Sequence, residues 1–172
     1  MTALSTGRRV KRRPPAPMID FLVESPRWKA QRGVKAALRR AVAEAASAVS
    51  TSPGEIAIVL SDDSRIRALN RVWRGKDEAT NVLSFPAGEQ NPDTPRHLGD
   101  LVIAYETTAR EAKAEHKPFM HHLAHLAVHG FLHLVGYDHA QDTEAEAMEA
   151  LEIAVLARVR VPNPYLARQA RR

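Results

Sequence analysis

Between His129 and His139 the chain reads His-Gly-Phe-Leu-His-Leu-Val-Gly-Tyr-Asp-His. No other segment restricts its own conformation so tightly. Residues 119–135 contain no proline and no glycine other than Gly130. That composition predicts one unbroken helix, closed by Gly136 in the left-handed conformation that ends many helices. Positions four apart on a helix share a face, about 6 Å apart along the axis. His129 and His133 therefore offer two imidazoles in one direction. The break at Gly136 lets the chain turn back, so that His139 reaches the same point. Three neutral nitrogens with a fourth position left open form the donor set of a catalytic zinc site rather than a structural one.

The rest of the composition leaves few other places to hold a metal. The 172 residues include no cysteine, which excludes disulfides, thiolate-ligated zinc, iron–sulfur clusters and thiol nucleophiles. All eight histidines lie after position 96, and seven fall between His116 and His139. His121 and His125 extend the same ladder, so helical spacing alone nominates several pairs. The third histidine beyond a glycine break singles out 129, 133 and 139, in a pattern that resembles the H-x₃-H-x₂-G-x₂-H skeleton of the metzincins. His125 is expected to support the ligands or to pack, and His97, His116, His121 and His122 to lie at the surface. In zinc peptidases of the H-E-x-x-H type, a glutamate after the first histidine is the general base. Here that position is Gly130, which disfavours peptide hydrolysis by the usual route. Zinc lowers the pKa of water to about 7. An attack on a centre that needs charge neutralisation more than a strong base, such as a phosphodiester, fits if a cation can hold the phosphate.

The formal net charge is +5, and five basic residues (Arg8, Arg9, Lys11, Arg12, Arg13) precede the first acid, Asp20. Without them the chain is formally neutral, so the positive excess is no property of the folded body. Residues 1–17 lack apolar periodicity and read as a disordered basic tail. They also lack the apolar core of a secretory signal, and have too little amphipathic content for a transit peptide. Met18 is a conceivable alternative start. Residues 167–172 form a second basic tail, and residues 18–166 read as a single domain. No apolar run approaches the roughly 20 residues of a membrane-spanning helix.

Within that domain, residues 18–24 and 56–60 have strand composition. Between them lies a helical stripe of Val34, Leu38, Ala41, Val42, Ala45 and Val49, stopped by the 51–54 turn. Residues 61–64 offer N-caps for a short helix carrying Ile66, Leu69 and Val72. Residues 82–85 and 101–104 are further strands, the first a candidate edge beside the cleft, with a polar loop over 87–97. Helices follow over 107–116 and 119–135. Another is expected after a capping box at Thr143 and Glu146, with Met148, Leu151 and Val155 as its apolar stripe. The expected fold class is α+β: a small mixed four-stranded sheet packed with helices, one of them a metzincin-like zinc-site helix.

The segment from His129 to His139 resembles the signature of the YbeY family of bacterial endoribonucleases of rRNA maturation. Leu69-Asn-Arg-Val-Trp-Arg-Gly-Lys-Asp77, Thr80-Asn-Val-Leu-Ser-Phe-Pro86, Leu98-Gly-Asp-Leu-Val-Ile103 and Glu146-Ala-Met-Glu-Ala-Leu-Glu152 resemble the family in the same order. Glu78-Ala79 departs from the common Lys-Pro, which weakens the local positive charge, and the basic amino-terminal extension lies outside the family pattern.

The resemblance implies one zinc per chain on His129, His133 and His139. It also implies cleavage of single-stranded rRNA, at the 16S 3′ end, in the cytoplasm. Ribosomal subunits would be partners, with a role in ribosome quality control, and ribosomal-protein or GTPase partners are left open. It points to Arg74 as a catalytic residue, for which a plain surface arginine beside the 75–77 turn is the alternative. Asp138 could orient a ligand imidazole or cap the Gly136 turn, and Met148 could pack beneath the ligands or simply in the core. Trp73, Phe85 and Tyr137 are the aromatic residues near the motifs. The alternatives for the whole chain are a non-catalytic, zinc-stabilised ribosome assembly factor and an atypical zinc peptidase.

Overall fold

A computed structural model of the chain describes residues 15–90 and 93–166. Four strands form one sheet: β1 (Met18–Val23), β2 (Glu55–Ser61), β3 (Val82–Pro86) and β4 (His97–Ala104), in the order β1-β2-β4-β3. β1, β2 and β4 run parallel, and β3 pairs antiparallel with β4 at the edge. Pro86 ends β3 opposite Gly99, as befits a residue with no N–H to donate to a ladder. A Cβ at Gly99 would lie 2.3 Å from the Phe85 carbonyl oxygen, and its φ is +133°. Only glycine allows β3 to close there.

One face of this sheet is fully covered. Ile56, Ile58, Leu60, Leu101 and Ile103 are buried against two helices, α1 (Val34–Ala48) and α4 (Phe119–Leu134). Ala41, Ala45, Ala124 and Ala127 are buried where α1 packs along α4. Small side chains there let the two helices approach closely. Another helix, α5 (Asp142–Arg158), adds Met148, Val155 and Leu156 to the same core.

The other face is only partly covered. The helix α2 (Asp63–Arg74) packs Ile66 and Leu69 against Leu83, Phe85, Val102 and Ala104 of β3 and β4. It leaves Leu22 of β1 exposed. A further helix, α3 (Tyr105–Ala114), follows β4 directly. Among the described residues, no helix is long and apolar enough to cross a membrane.

The expected four-stranded α+β fold is present, with differences at element ends. β4 starts at His97, inside the expected loop, and α3 starts at Tyr105 rather than at 107. The first helical stretch divides into a 3₁₀ turn at Pro26–Ala30 and α1. Trp28 is buried in that turn, and its Nε1–H donates to the Ser61 carbonyl at 2.8 Å. The capping box is not formed: α5 begins at Asp142, which puts Thr143 inside the first turn, and its N-cap Gln141 makes no side-chain capping bond. Most of the 1–17 tail and all of 167–172 lie outside the described residues.

Candidate metal centre and its cleft

The carboxy-terminal end of α4 builds the centre. Gly136 has φ +96°. Its N–H donates to the His133 carbonyl at 3.1 Å, and the Tyr137 N–H to that of Leu132 at 3.0 Å. These two bonds make a Schellman closure, and the chain then returns with His139 beside the helix. One ring nitrogen from each of His129, His133 and His139 lies within 4.8 Å of the other two. Nε2 of His129 and Nε2 of His133 are 3.2 Å apart. Two nitrogens bound tetrahedrally to zinc at about 2.05 Å would be separated by about 3.3 Å. The three side chains thus fit a single divalent metal of that size.

The remaining nitrogen of His129 is committed. His129 Nδ1 donates to Oε1 of Glu152 at 2.7 Å, and Glu152 is 1 % exposed. His125 Nε2 donates to the other carboxylate oxygen at 2.9 Å, and the Tyr165 hydroxyl also donates to it. Burial pushes the Glu152 carboxyl upward, but the bonds from His125, His129 and Tyr165 outweigh it and hold the group at about 2. An ionised Glu152 fixes the proton of His129 on Nδ1, which leaves the Nε2 lone pair for a metal. His133 is held below the ordinary imidazole value by its burial and by the nearby His129 and His139, which favours its neutral, ligating form.

These rings open onto a cleft of about 630 Å³ that is also lined by Arg74, Asn81 and Ser84. Arg74 is the last residue of α2. Gly75 closes that helix at φ +69°, its N–H donating to the Arg71 carbonyl. Arg67 grips Asp77 with two bonds of 2.9 and 3.0 Å, which pins the turn. The Asn70 side chain donates to the Glu78 carbonyl at 2.9 Å. Among the described residues Arg74 has no ion-pair partner and faces the cleft as a free cation.

Position 130 explains itself sterically. A Cβ there would lie 2.9 Å from Leu101 Cδ2 and 3.2 Å from Ser84 Oγ. The Ser84 hydroxyl donates to the Gly130 carbonyl at 3.1 Å. Gly130 is the contact point of α4 with β3 and β4, and has no room for a peptidase glutamate.

The expected surface positions of the other histidines hold only in part. His122 is not at the surface: it is 5 % exposed, and its Nε2 meets Glu111 Oε2 at 2.8 Å. The ladder's next face points at α3, where Glu111 waits. His97 and His121 are half-buried and His116 is exposed. His97 Nε2 contacts Asp100 at 3.0 Å. Asp138 touches no ligand ring, and accepts the His139 backbone N–H at 2.7 Å. Met148 is in the core.

Glu152, rather than Asp138, is the carboxylate bonded to a ring of the three-histidine group, and in the sequence it stands in register with the buried Met148, Val155 and Leu156. An acid within an apolar stripe is a sign of a buried partner.

Glu111 also accepts from the Asn81 side chain at 2.8 Å, bracing the residue next to the cleft. Burial works against its charge, yet the bonds from His122 and Asn81 win and hold its pKa below the ordinary 4.5. A carboxylate depressed on folding stabilises the protein above its unfolded value, and this is lost as pH falls through the folded value. Glu111→Gln should therefore cost stability at neutral pH and flatten part of the acid limb in urea melts as pH falls below the ordinary 4.5. A wild-type acid limb in the variant would contradict this.

Comparison with known proteins places these features in a family. Residues 23–160 match the family model described as "Endoribonuclease YbeY". The protein named Endoribonuclease YbeY of Nitrobacter hamburgensis is 55% identical over 159 residues, covering 88% of this chain and 84% of that one. Its namesake in Bradyrhizobium diazoefficiens is 51% identical over 171 residues, covering 95% and 93%. The solution structure of TM1509 from Thermotoga maritima shares the fold, with a TM-score of 0.51 and 24% identity over 83% of this chain and 92% of that one.

Proposed function

Because the chain belongs to the YbeY endoribonuclease family, we propose that it is a zinc-dependent endoribonuclease that cuts single-stranded rRNA during ribosome maturation. The observation that carries this reading is the three-histidine centre facing the free guanidinium of Arg74 across one cleft. His129, His133 and His139 would hold the zinc, with Glu152 fixing the tautomer of His129. Zinc held there supplies Lewis-acid activation of water and of the scissile phosphate at neutral pH.

Arg74 binds a non-bridging phosphate oxygen with its planar fork and offsets the charge that grows as the bond breaks. The cleft, lined by Val82, Ser84 and Pro86 of β3 on one side and by the histidines on the other, would orient the strand toward the metal. In the cell the substrate would be the 3′ end of 16S rRNA on ribosomal subunits in the cytoplasm.

Arg74→Ala tests the arginine. It should keep the fold and one zinc per chain while lowering cleavage of a single-stranded oligoribonucleotide by about a hundredfold or more. Arg74→Lys should recover only part of this, because it restores the charge without the bidentate fork. Wild-type cleavage by the alanine variant would remove Arg74 from the mechanism.

A further inference from the structure

Trp73 is 68% exposed, whereas the other tryptophan, Trp28, is 2% exposed. A tryptophan is usually well buried even when not fully so. Nor does Trp73 hang loose: its ring stands edge-on to Phe85, centroids 5.8 Å apart and planes at 66°. It borders the uncovered part of the sheet face beside α2. There Leu22, Val59, Leu69, Phe85 and Val102 line a groove of about 700 Å³.

This groove and the metal cleft share Arg74, Ser84 and Pro86. A strand leaving the histidines can therefore pass Arg74 and the end of β3 directly onto the indole. The charges on the rim are largely matched, with Arg65 4.0 Å from Glu24 and His97 3.0 Å from Asp100. Arg74, next to Trp73 in the chain, is the cation at this junction without an ion-pair partner among the described residues. An exposed π-face beside one free guanidinium suits a base and its phosphate. Stacking on aromatic rings combined with backbone charge is how single-stranded nucleic acids are commonly gripped.

We propose that Trp73, braced by Phe85, is a nucleobase subsite: it stacks a base of the single-stranded RNA whose adjoining phosphate Arg74 holds. The subsite rests on the endoribonuclease reading and deepens it. It makes the enzyme require unpaired nucleotides beyond the scissile bond, because a base inside a duplex cannot offer its face to the indole. It does not by itself select among bases, since every base has a π-face.

The test uses the full chain with its zinc, a fluorescein-labelled single-stranded oligoribonucleotide, and the variants Trp73→Ala and Trp73→Phe. Trp73→Ala should raise KM by about tenfold, the loss falling mainly on KM, while Trp73→Phe recovers most of the affinity. Unlabelled RNA should quench the intrinsic fluorescence of the wild type but not of Trp73→Phe, in which only buried Trp28 remains. Zinc content and circular dichroism establish that each variant is folded.

A KM within about twofold of wild type for Trp73→Ala, or no quenching in a wild type that cleaves, overturns the subsite alone. The face would then belong to a protein partner. Failure of the enzymatic reading looks different: zinc-loaded wild type neither cleaves nor is quenched, and the subsite falls with it.

Discussion

Replacing His133 by alanine should release the metal and lower cleavage of single-stranded RNA by about a thousandfold or more. Two histidines and water hold zinc far less tightly than three histidines in a preformed site. His133 is half-buried, and its ring meets those of His129 and His139 and the backbone of Tyr137. Removing it should therefore disturb the centre more than the core. Thermal stability should also drop toward that of chelator-treated wild type, because a ligand that binds only the folded state stabilises it by mass action. Added zinc should restore chelated wild type but not the variant. The variant must be purified identically, since a contaminating ribonuclease would cleave in both preparations. Equal cleavage by His133→Ala, or by rigorously metal-free wild type, would end the metal mechanism.

The second large effect concerns Glu152, which is buried and accepts from His125, His129 and Tyr165. Glu152→Ala strands those donors in the interior. Breaking a buried charged network from one side typically costs about 3–5 kcal/mol. It also frees His129 to turn, and loss of such a supporting carboxylate commonly weakens metal binding about 10–100-fold. Glu152→Gln keeps the volume but offers an N–H where a donor already sits, so it should fall between the two. Urea unfolding and competition for zinc with a chelator measure the two losses separately.

The pH dependence has a definite sign. The carboxyl falls from an ordinary 4.5 to about 2 on folding. Its contribution is complete above 4.5 and fades as pH drops toward 2, so Glu152→Ala should flatten the wild type's acid sensitivity. A variant with an unshifted urea midpoint and unchanged zinc affinity would show that this network is incidental.

Much of this was legible in the chain because it depends on local geometry. The His129–His133 pair follows from the helical repeat, and Gly136 closes the helix in the expected way. β1, β2 and the edge position of β3 match short apolar runs bounded by turn residues. Boundaries slipped where tertiary pairing extends an element, as at His97, which joins β4 opposite Glu55 of β2. His122 was misplaced for a related reason. Helical periodicity tells which residues share a face, but not which neighbour covers that face. Here α3 brings Glu111 to it.

The sequence by itself determined the three-histidine group and its capacity to hold a metal. With no cysteine and histidines at 129, 133 and 139, a helix and one glycine turn suffice to bring the nitrogens together. Only the tertiary structure decided what surrounds them. Arg74 lies 55 residues before His129 and Glu152 lies 23 after it. No local repeat connects either residue to the ligands. The packing of α2 across β3 and β4 carries Arg74 to the cleft, and that of α5 along α4 buries Glu152 against His129. The uncovered sheet beside Trp73 is likewise set by how far α2 reaches, a property of packed layers rather than of any one segment.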